Sequence, residues 1–326
     1  MRALHRAFDF LGQHATLFLA GGVLVGLLVP PLAALARPLL IPGLLIPLVI
    51  ALLRLDWGAL AAYARRPGLV ALITAGLLVA SPALMWLALK PFNLPPTLAQ
   101  GLTLMAAASP IVSCAAISLI LGLDAALAVV VIVATTALIP FSLPIVATTA
   151  LIPFSLPIVA LWLLGLKIDI DLPTFMLRLA LMVGGAFAVA LALRRLVPRQ
   201  KLEANARMLD GASVATLVMF ALAIMDGVTA VALARPGYVA LVTLSAFCAN
   251  ILLQCLGTLA SLRLGMRSAI TVGLMTGNCN MGLVMVALAD KADFDVIVFF
   301  AMAQIPMYML PALLGPVYRR LLAGNS

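Results

Sequence analysis

The chain has 326 residues, 65% of them hydrophobic and 10% charged, and a mean hydropathy of +1.23. A soluble domain runs about 45–50% apolar and about 25% charged, so a soluble enzyme or binding module is excluded and an all-α polytopic membrane protein is expected. The net charge of +9 fits the basic flanks of membrane spans rather than a nucleic-acid surface, and no nucleic-acid partner is expected.

A helix needs roughly 20 apolar residues to cross about 30 Å of hydrocarbon, and ten such segments follow one another. The first span runs 15–35; Arg2, Arg6 and Asp9 precede it without a small-residue cleavage motif, which does not read as a signal peptide. The second, 38–53, is short and carries Pro42 and Pro47, so a broken or tilted helix is expected. The third covers 68–89, and the fourth, 97–122, is interrupted at Ser109-Pro110, followed by Ser113-Cys114 and then Ser118. The fifth, 124–148, holds Thr135 and Thr136 before Pro140.

Here residues 132–144 (IVATTALIPFSLP) recur unchanged at 145–157, a recent in-frame duplication or an artefact. Thirteen added residues turn a helix by three turns plus roughly 220°. The second copy therefore cannot present the same face, and each copy has two prolines that break helices. One copy is expected to pack and the other to be displaced toward the membrane surface.

The sixth span is 176–193 and the basic segment 194–207 follows it. The seventh, 211–234, contains Asp226-Gly227, which reads as a helix interruption. An acidic residue inside a span is by default functional. A buried Asp226 would allow proton coupling, whereas one near the outer end would reach water. Asn250 and Gln254, four apart on the eighth span (238–262), share one face. The ninth, 268–289, carries Thr276-Gly277-Asn278-Cys279-Asn280-Met281-Gly282, and the tenth, 294–317, carries Gln304. Two amides and two glycines at membrane depth persist only where they face protein or a cavity.

With the N-terminus inside, fourteen of the twenty Lys and Arg residues fall on the inner side. This bias puts both termini in the cytoplasm, and a bacterial inner membrane is the expected location. Ten spans divide as two five-helix halves, 1–165 and 166–326. An odd number per half inverts the second relative to the first, an architecture that sets a transporter site at the repeat interface. The two interrupted spans are the fourth of each half. Crossed broken helices offer amide ends to anions and carbonyl ends to cations. The hydroxyls and amides near them suit a hard cation such as Na⁺ or a polar organic substrate. Interhelical hydrogen bonding is their alternative role, and for Asn250 and Gln254 the two readings stand even.

Cys114, Cys248, Cys255 and Cys279 all lie within spans, where cysteine behaves as a small buried apolar residue. His5 and His14 lie before the first spans, and no phosphate loop, dinucleotide fingerprint or metal cluster occurs. No enzyme and no cofactor is expected, and the lipid bilayer is the surrounding partner.

At these residues the chain resembles the bile acid:sodium symporter family, over nearly its whole length but with the specific motifs in a few spans. Residues 109–128 (SPIVSCAAISLILGLDAALA) are similar to its fourth-span signature. Thr135-Thr136 before Pro140 is similar to its fifth-helix hydroxyl pair. Residues 273–284 (GLMTGNCNMGLV), with Asn280 and Gly282 in register, are similar to its ninth-span motif. The resemblance implies crossed discontinuous helices four and nine. It implies a core of spans 3–5 and 8–10, a panel of spans 1, 2, 6 and 7, and elevator-like or rocking alternating access to a small organic anion, with Na⁺ as coupling ion. The chain departs from sodium-coupled members where they carry Ser-Asn (here Cys114-Ala115), glutamate (Met275) and glutamine (Cys279). Loss of the carboxylate removes the strongest cation ligand, so Na⁺, a proton or no coupling all stay open. Two other readings are an arsenite-type efflux permease using Cys114, faced by Cys279, and a non-transporting membrane receptor.

Overall fold

The computed structural model describes residues 7–8, 10–12, 14–54, 58, 63, 65–150, 172–288 and 293–324. Apart from turns and one isolated β-bridge, these residues are helical. The junction of the two halves near 165 lies outside them. Among the described residues, seven helical runs are long and apolar enough to cross a membrane: Pro30–Leu53, Pro67–Leu89, Ala125–Leu143, Met176–Leu196, Ala206–Ala223, Pro236–Ala260 and Phe294–Ala323. The chain is a multi-pass membrane protein.

The remaining apolar segments are interrupted, each for a readable reason. Helix α1 (Ala15–Leu28) ends at Val29 (φ −124°, ψ 74°), because Pro30 pushes the residue before it out of the helical region. Helix α2 (Pro30–Ala36) then runs through a 3₁₀ turn, Arg37–Leu39, into α3 (Leu40–Leu53). The break expected near Arg37 therefore lies at Val29. The break expected in the second span is absent, since Pro42 sits in the first turn, where no N–H is needed, and Pro47 is simply buried.

The third span is α4 (Pro67–Ala75), a π turn (Gly76–Ala80) and α5 (Ser81–Leu89). The wider turn precedes Pro82, whose ring would clash in a regular helix. Helices α6 (Pro96–Ala107) and α7 (Ser113–Ile120) cover the segment expected as the fourth span.

Helix α8 (Ala125–Ala150) has 26 residues, about 39 Å at 1.5 Å per residue. It passes Pro140 and Pro144 without interruption, which corrects the expectation that these prolines break it. The first copy of the duplicated segment packs Ile132, Thr135, Thr136, Ile139 and Leu143 inward at helical spacing. The second copy prolongs the same helix to Ala150, and its remainder lies outside the described residues.

The second half contains α9 (Leu172–Leu196), α10 (Arg199–Ala204), α11 (Ala206–Ala223), α12 (Val228–Ala234), α13 (Pro236–Ala260), α14 (Met266–Gly277), α15 (Met281–Leu288), α16 (Phe294–Met302) and α17 (Gln304–Ala323). Helices α1 and α3 pack on α11, and α3 also packs on α9. Helix α6 packs on α5, α8 and α16, and α13 packs on α14 and α16.

The α13–α14 pair is held together by small residues. A Cβ on Gly273 would overlap Thr258 Oγ1 and lie 2.5 Å from the Gln254 carbonyl oxygen. One on Gly277 would lie 2.7 Å from the Asn250 carbonyl oxygen. Glycines four apart let two membrane helices approach to backbone contact, where dispersion holds them without any hydrophobic driving force.

One sequence match becomes visible beside these elements. Arg66–Thr74 (RPGLVALIT) and Arg235–Thr243 (RPGYVALVT) agree at seven of nine positions, 169 residues apart (235 minus 66), and each opens a helix at its proline. The starts of α8 and α16, Ala125 and Phe294, are also 169 apart (294 minus 125). The packing argument is checked by substitution: Gly273→Leu is expected to lower stability by about 3 kcal/mol or more. Gly184→Leu, whose Cβ would meet nothing within 4 Å, should leave the melting temperature in detergent unchanged or higher.

Candidate functional site

Helix α6 ends because Ala108 turns extended (φ −74°, ψ 150°) two residues before Pro110. Helix α14 ends at Gly277, and Asn278 leaves the helical region (φ −99°, ψ 82°). The two unwound segments cross and pair. Ile111 N donates to Asn278 O at 2.8 Å, and Asn280 N donates to Ser109 O at 2.7 Å, on either side of an antiparallel bridge between Pro110 and Cys279. That central pair is the type that exchanges no hydrogen bonds, so a proline without an N–H fits there. Pro110 and Cys279 are again 169 residues apart (279 minus 110). The same shift carries Ile111 onto Asn280 and Ser109 onto Asn278. It therefore exchanges the two hydrogen bonds.

Four half-helix ends meet here. At the carbonyl end of α14, Leu274 O accepts from Asn278 N at 3.1 Å and Asn278 Nδ2 at 2.9 Å. The Cys114 thiol donates to Leu274 O at 3.9 Å and Asn278 O at 3.8 Å, and the Cys279 thiol donates to Thr276 O at 3.2 Å. At the amide end of α15, Asn280 Oδ1 accepts from Leu283 N at 3.3 Å, which caps that helix. Among the described residues, Ser109 Oγ and Asn278 Oδ1 are fully buried and have no protein partner.

A cavity of about 30 Å³ adjoins the crossing, room for a water or two. Val112, Ser113, Asn280 and Gly282 border it at the amide ends of α7 and α15, Gln304 and Tyr308 from α17, and Leu44, Pro47 and Phe220 from the apolar side. Gln304 donates through Nε2 to Phe300 O at 3.3 Å, which leaves Oε1 as an acceptor without a partner. The Tyr308 hydroxyl is also unpartnered. These residues are 1% and 4% exposed, and each such group costs about 1–3 kcal/mol unless something fills the space.

Asn250 and Gln254 lie behind the crossing. Gln254 Nε2 donates to Asn250 Oδ1 at 2.6 Å, and the Tyr318 hydroxyl donates to Gln254 Oε1. The Tyr318–Gln254 bond joins α13 to α17, whereas Asn250 is bonded within α13 and, among the described residues, its buried Nδ2 has no partner. Thr276 bonds back to Val272 O at 2.7 Å, and Thr135 to Val131 O at 2.7 Å. These hydroxyls and the buried Thr136 belong to their helix packing and do not border the cavity.

Asp226 sits in the turn before Gly227 (φ +78°), where only glycine is at ease, 3.4 Å from Arg37 and with its side chain 28% exposed. The expected interruption is there, and the carboxylate lies at a helix end beside a basic partner, which fits the outer-end reading. Cys248 and Cys255 are likewise exposed on α13, while Cys114 and Cys279 are buried as expected.

Sequence reasoning missed Tyr308, which follows Gln304 by four residues and so shares its face. It also missed a polar cluster around Asp124. Tyr63 donates to Asp124 Oδ2 at 2.6 Å and Ser268 Oγ donates to the same oxygen at 3.0 Å. Leu127 N donates to Oδ1 at 3.0 Å, so Asp124 caps α8. Burial, then the hydrogen bond to Asp124, hold the Tyr63 phenol well above its usual ionisation range, and it remains a donor at any physiological pH.

No protein-family model and no curated protein matches this chain. The buried amide chain offers a test. Gln254→Leu leaves the Tyr318 hydroxyl and Asn250 Oδ1 without partners, and a loss of about 2–5 kcal/mol is expected for the two groups. Tyr318→Phe, which removes only one end, should cost less, and equal melting temperatures for the two variants would contradict the linkage.

Proposed function

We propose that this chain is a secondary transporter of a small organic anion, working by alternating access between two inverted five-span repeats. The observation that carries the reading is the crossing of two unwound segments whose register obeys the same 169-residue shift as the RPG-x-VAL-x-T match (235 minus 66). An antiparallel bridge with interchangeable hydrogen bonds has a local two-fold axis, the relation that inverted repeats require. The resemblance to bile acid:sodium symporters, residues 109–128 and 273–284 above all, points the same way. It supports spans 3–5 and 8–10 as the core and 1, 2, 6 and 7 as the panel.

The ligand chemistry follows from the cavity. Helices α7 and α15 turn their amide ends toward it, and such ends attract anions. Among the described residues, no charged side chain borders it, so backbone dipoles, the Ser113 and Tyr308 hydroxyls and the Asn280 amide would hold a carboxylate. At about 30 Å³ the cavity is far below the roughly 300–1,000 Å³ of a ligand pocket, which fits an occluded state. Motion of α3 and α11, which supply Leu44, Pro47 and Phe220, away from the crossing would enlarge it.

The metalloid reading is weaker, because the Cys114 thiol turns to the Leu274 and Asn278 carbonyls and does not border the cavity. The basic-residue bias favours both termini in the cytoplasm, and the resemblance favours a bacterial inner membrane. In proteoliposomes, uptake of radiolabelled small carboxylates is expected. Asn280→Ala and Tyr308→Phe should each reduce it by about 10-fold or more, one to three kcal/mol of lost contact, without loss of folding. Binding without uptake would favour a receptor. Undiminished uptake by both variants, or arsenite resistance lost in Cys114→Ser, would contradict the anion site.

A further inference from the structure

We infer that the thiols of Cys114 and Cys279 occupy the place of a coupling cation at the carbonyl end of α14, so that transport by this chain proceeds without Na⁺. The inference rests on the anion-transporter reading for its consequence, but its observations are independent of any substrate.

The carbonyls of a helix's last turn lack intrahelical donors and carry the negative end of the helix dipole. Where a membrane helix is broken, such carbonyls are the group that coordinates Na⁺. A hard cation needs about six oxygen ligands, and thiols serve it poorly. In this chain the carbonyl end is already engaged. Cys114 reaches across from α7 and directs its S–H at Leu274 O and Asn278 O, 3.9 and 3.8 Å away. Cys279, the bridge residue itself, donates to Thr276 O at 3.2 Å. Ile111 N takes Asn278 O as well.

Three carbonyls that would form one side of a cation shell are therefore satisfied from within the chain. Both sulfurs are buried, and so is Met275, an apolar residue at the position where the resemblance implies a carboxylate. The free oxygens nearby are Ser109 Oγ and Asn278 Oδ1, two neutral ligands that one water can satisfy.

A bound cation would join the two unwound segments by bridging their carbonyls, and it would do so only while present. The backbone bonds from Ile111 N to Asn278 O and from Asn280 N to Ser109 O already make that join without an ion, and Cys114 adds S–H contacts across the same crossing. The crossing is thus ordered with or without Na⁺.

The test uses melting temperature of the purified full chain in detergent, with equal concentrations of NaCl, KCl or choline chloride and no organic acid. For wild type, the three values should agree within about 1 °C, since a ligand that does not bind cannot stabilise. Cys279→Ala removes the thiol donor of Thr276 O, and Cys114→Ala removes one donor from Leu274 O and Asn278 O, which keep Asn278 N, Asn278 Nδ2 and Ile111 N. Each variant should melt lower in KCl and recover by several degrees in NaCl specifically, whereas Cys114→Ser retains a donor and should stay indifferent. Should one alanine variant fail to fold, the other carries the comparison.

A Na⁺-specific rise in wild type would overturn the inference and hand the cation to Ser109 and Asn278. Absence of Na⁺-specific recovery in the alanine variants would overturn it too, by showing that these carbonyls are no cation position. Uptake of a carried acid should be equal in Na⁺ and K⁺, a ratio near one. If no acid is carried, the transport reading fails, and the melting comparison still decides the ion question.

Discussion

At the middle of a bilayer there is no water to accept or donate a hydrogen bond, so any backbone that leaves the helix there needs a partner in the protein. Two segments of this chain do leave it, at 108–112 and 278–280, and they satisfy each other. Ile111 N and Asn280 N each donate across the crossing. Pro110 occupies the central position, where no N–H is required. Neither break could be buried alone without orphaned amides, and so the two are coupled features of one structure.

The elements around the crossing are arranged by what it demands. Gly273 and Gly277 let α13 approach α14 closely enough for Asn250 and Gln254 to lie directly behind the unwound segment. The Tyr318–Gln254–Asn250 chain then fastens α17 to that pair. On the other side the amide ends of α7 and α15 face a small cavity closed by Phe220, Leu44 and Pro47. Carbonyl ends and amide ends thus point into different surroundings. The carbonyl end of α14 meets buried thiols, while the amide ends meet a cavity of about 30 Å³.

Much of this was legible in the sequence because the bilayer makes a few residues informative. Ser109-Pro110 and Gly277-Asn278 identify both breaks, since proline and amides at depth have few alternatives. The Asp226-Gly227 interruption was equally readable, but not the burial of the carboxylate, which depends on Arg37 arriving from elsewhere in the chain. The pairing register was also present in the sequence, in the match of Arg66–Thr74 with Arg235–Thr243, and it needed only a comparison of the two halves. Proline was the less reliable signal. Pro30, not the segment near Arg37, ends the first helix, and α8 passes Pro140 and Pro144 unbroken, because interior position and neighbouring helices decide whether a freed carbonyl is tolerated. Tyr318 could not be assigned, because its hydroxyl bonds Gln254 on a helix distant in sequence, whereas Tyr308 was readable from its place four residues after Gln304.

The central claim, that residues 110 and 279 are direct neighbours across two unwound segments, is open to one covalent measurement. In an antiparallel pair without mutual hydrogen bonds the Cα atoms are about 4.5 Å apart, within the range that a disulfide spans. Pro110→Cys in a Cys114→Ser background is expected to form a disulfide with Cys279 on mild oxidation, read as an intramolecular link between the two halves after proteolytic cleavage and as the loss of two thiols by mass. Failure of that link to form, with both thiols intact in folded protein, would contradict the crossing.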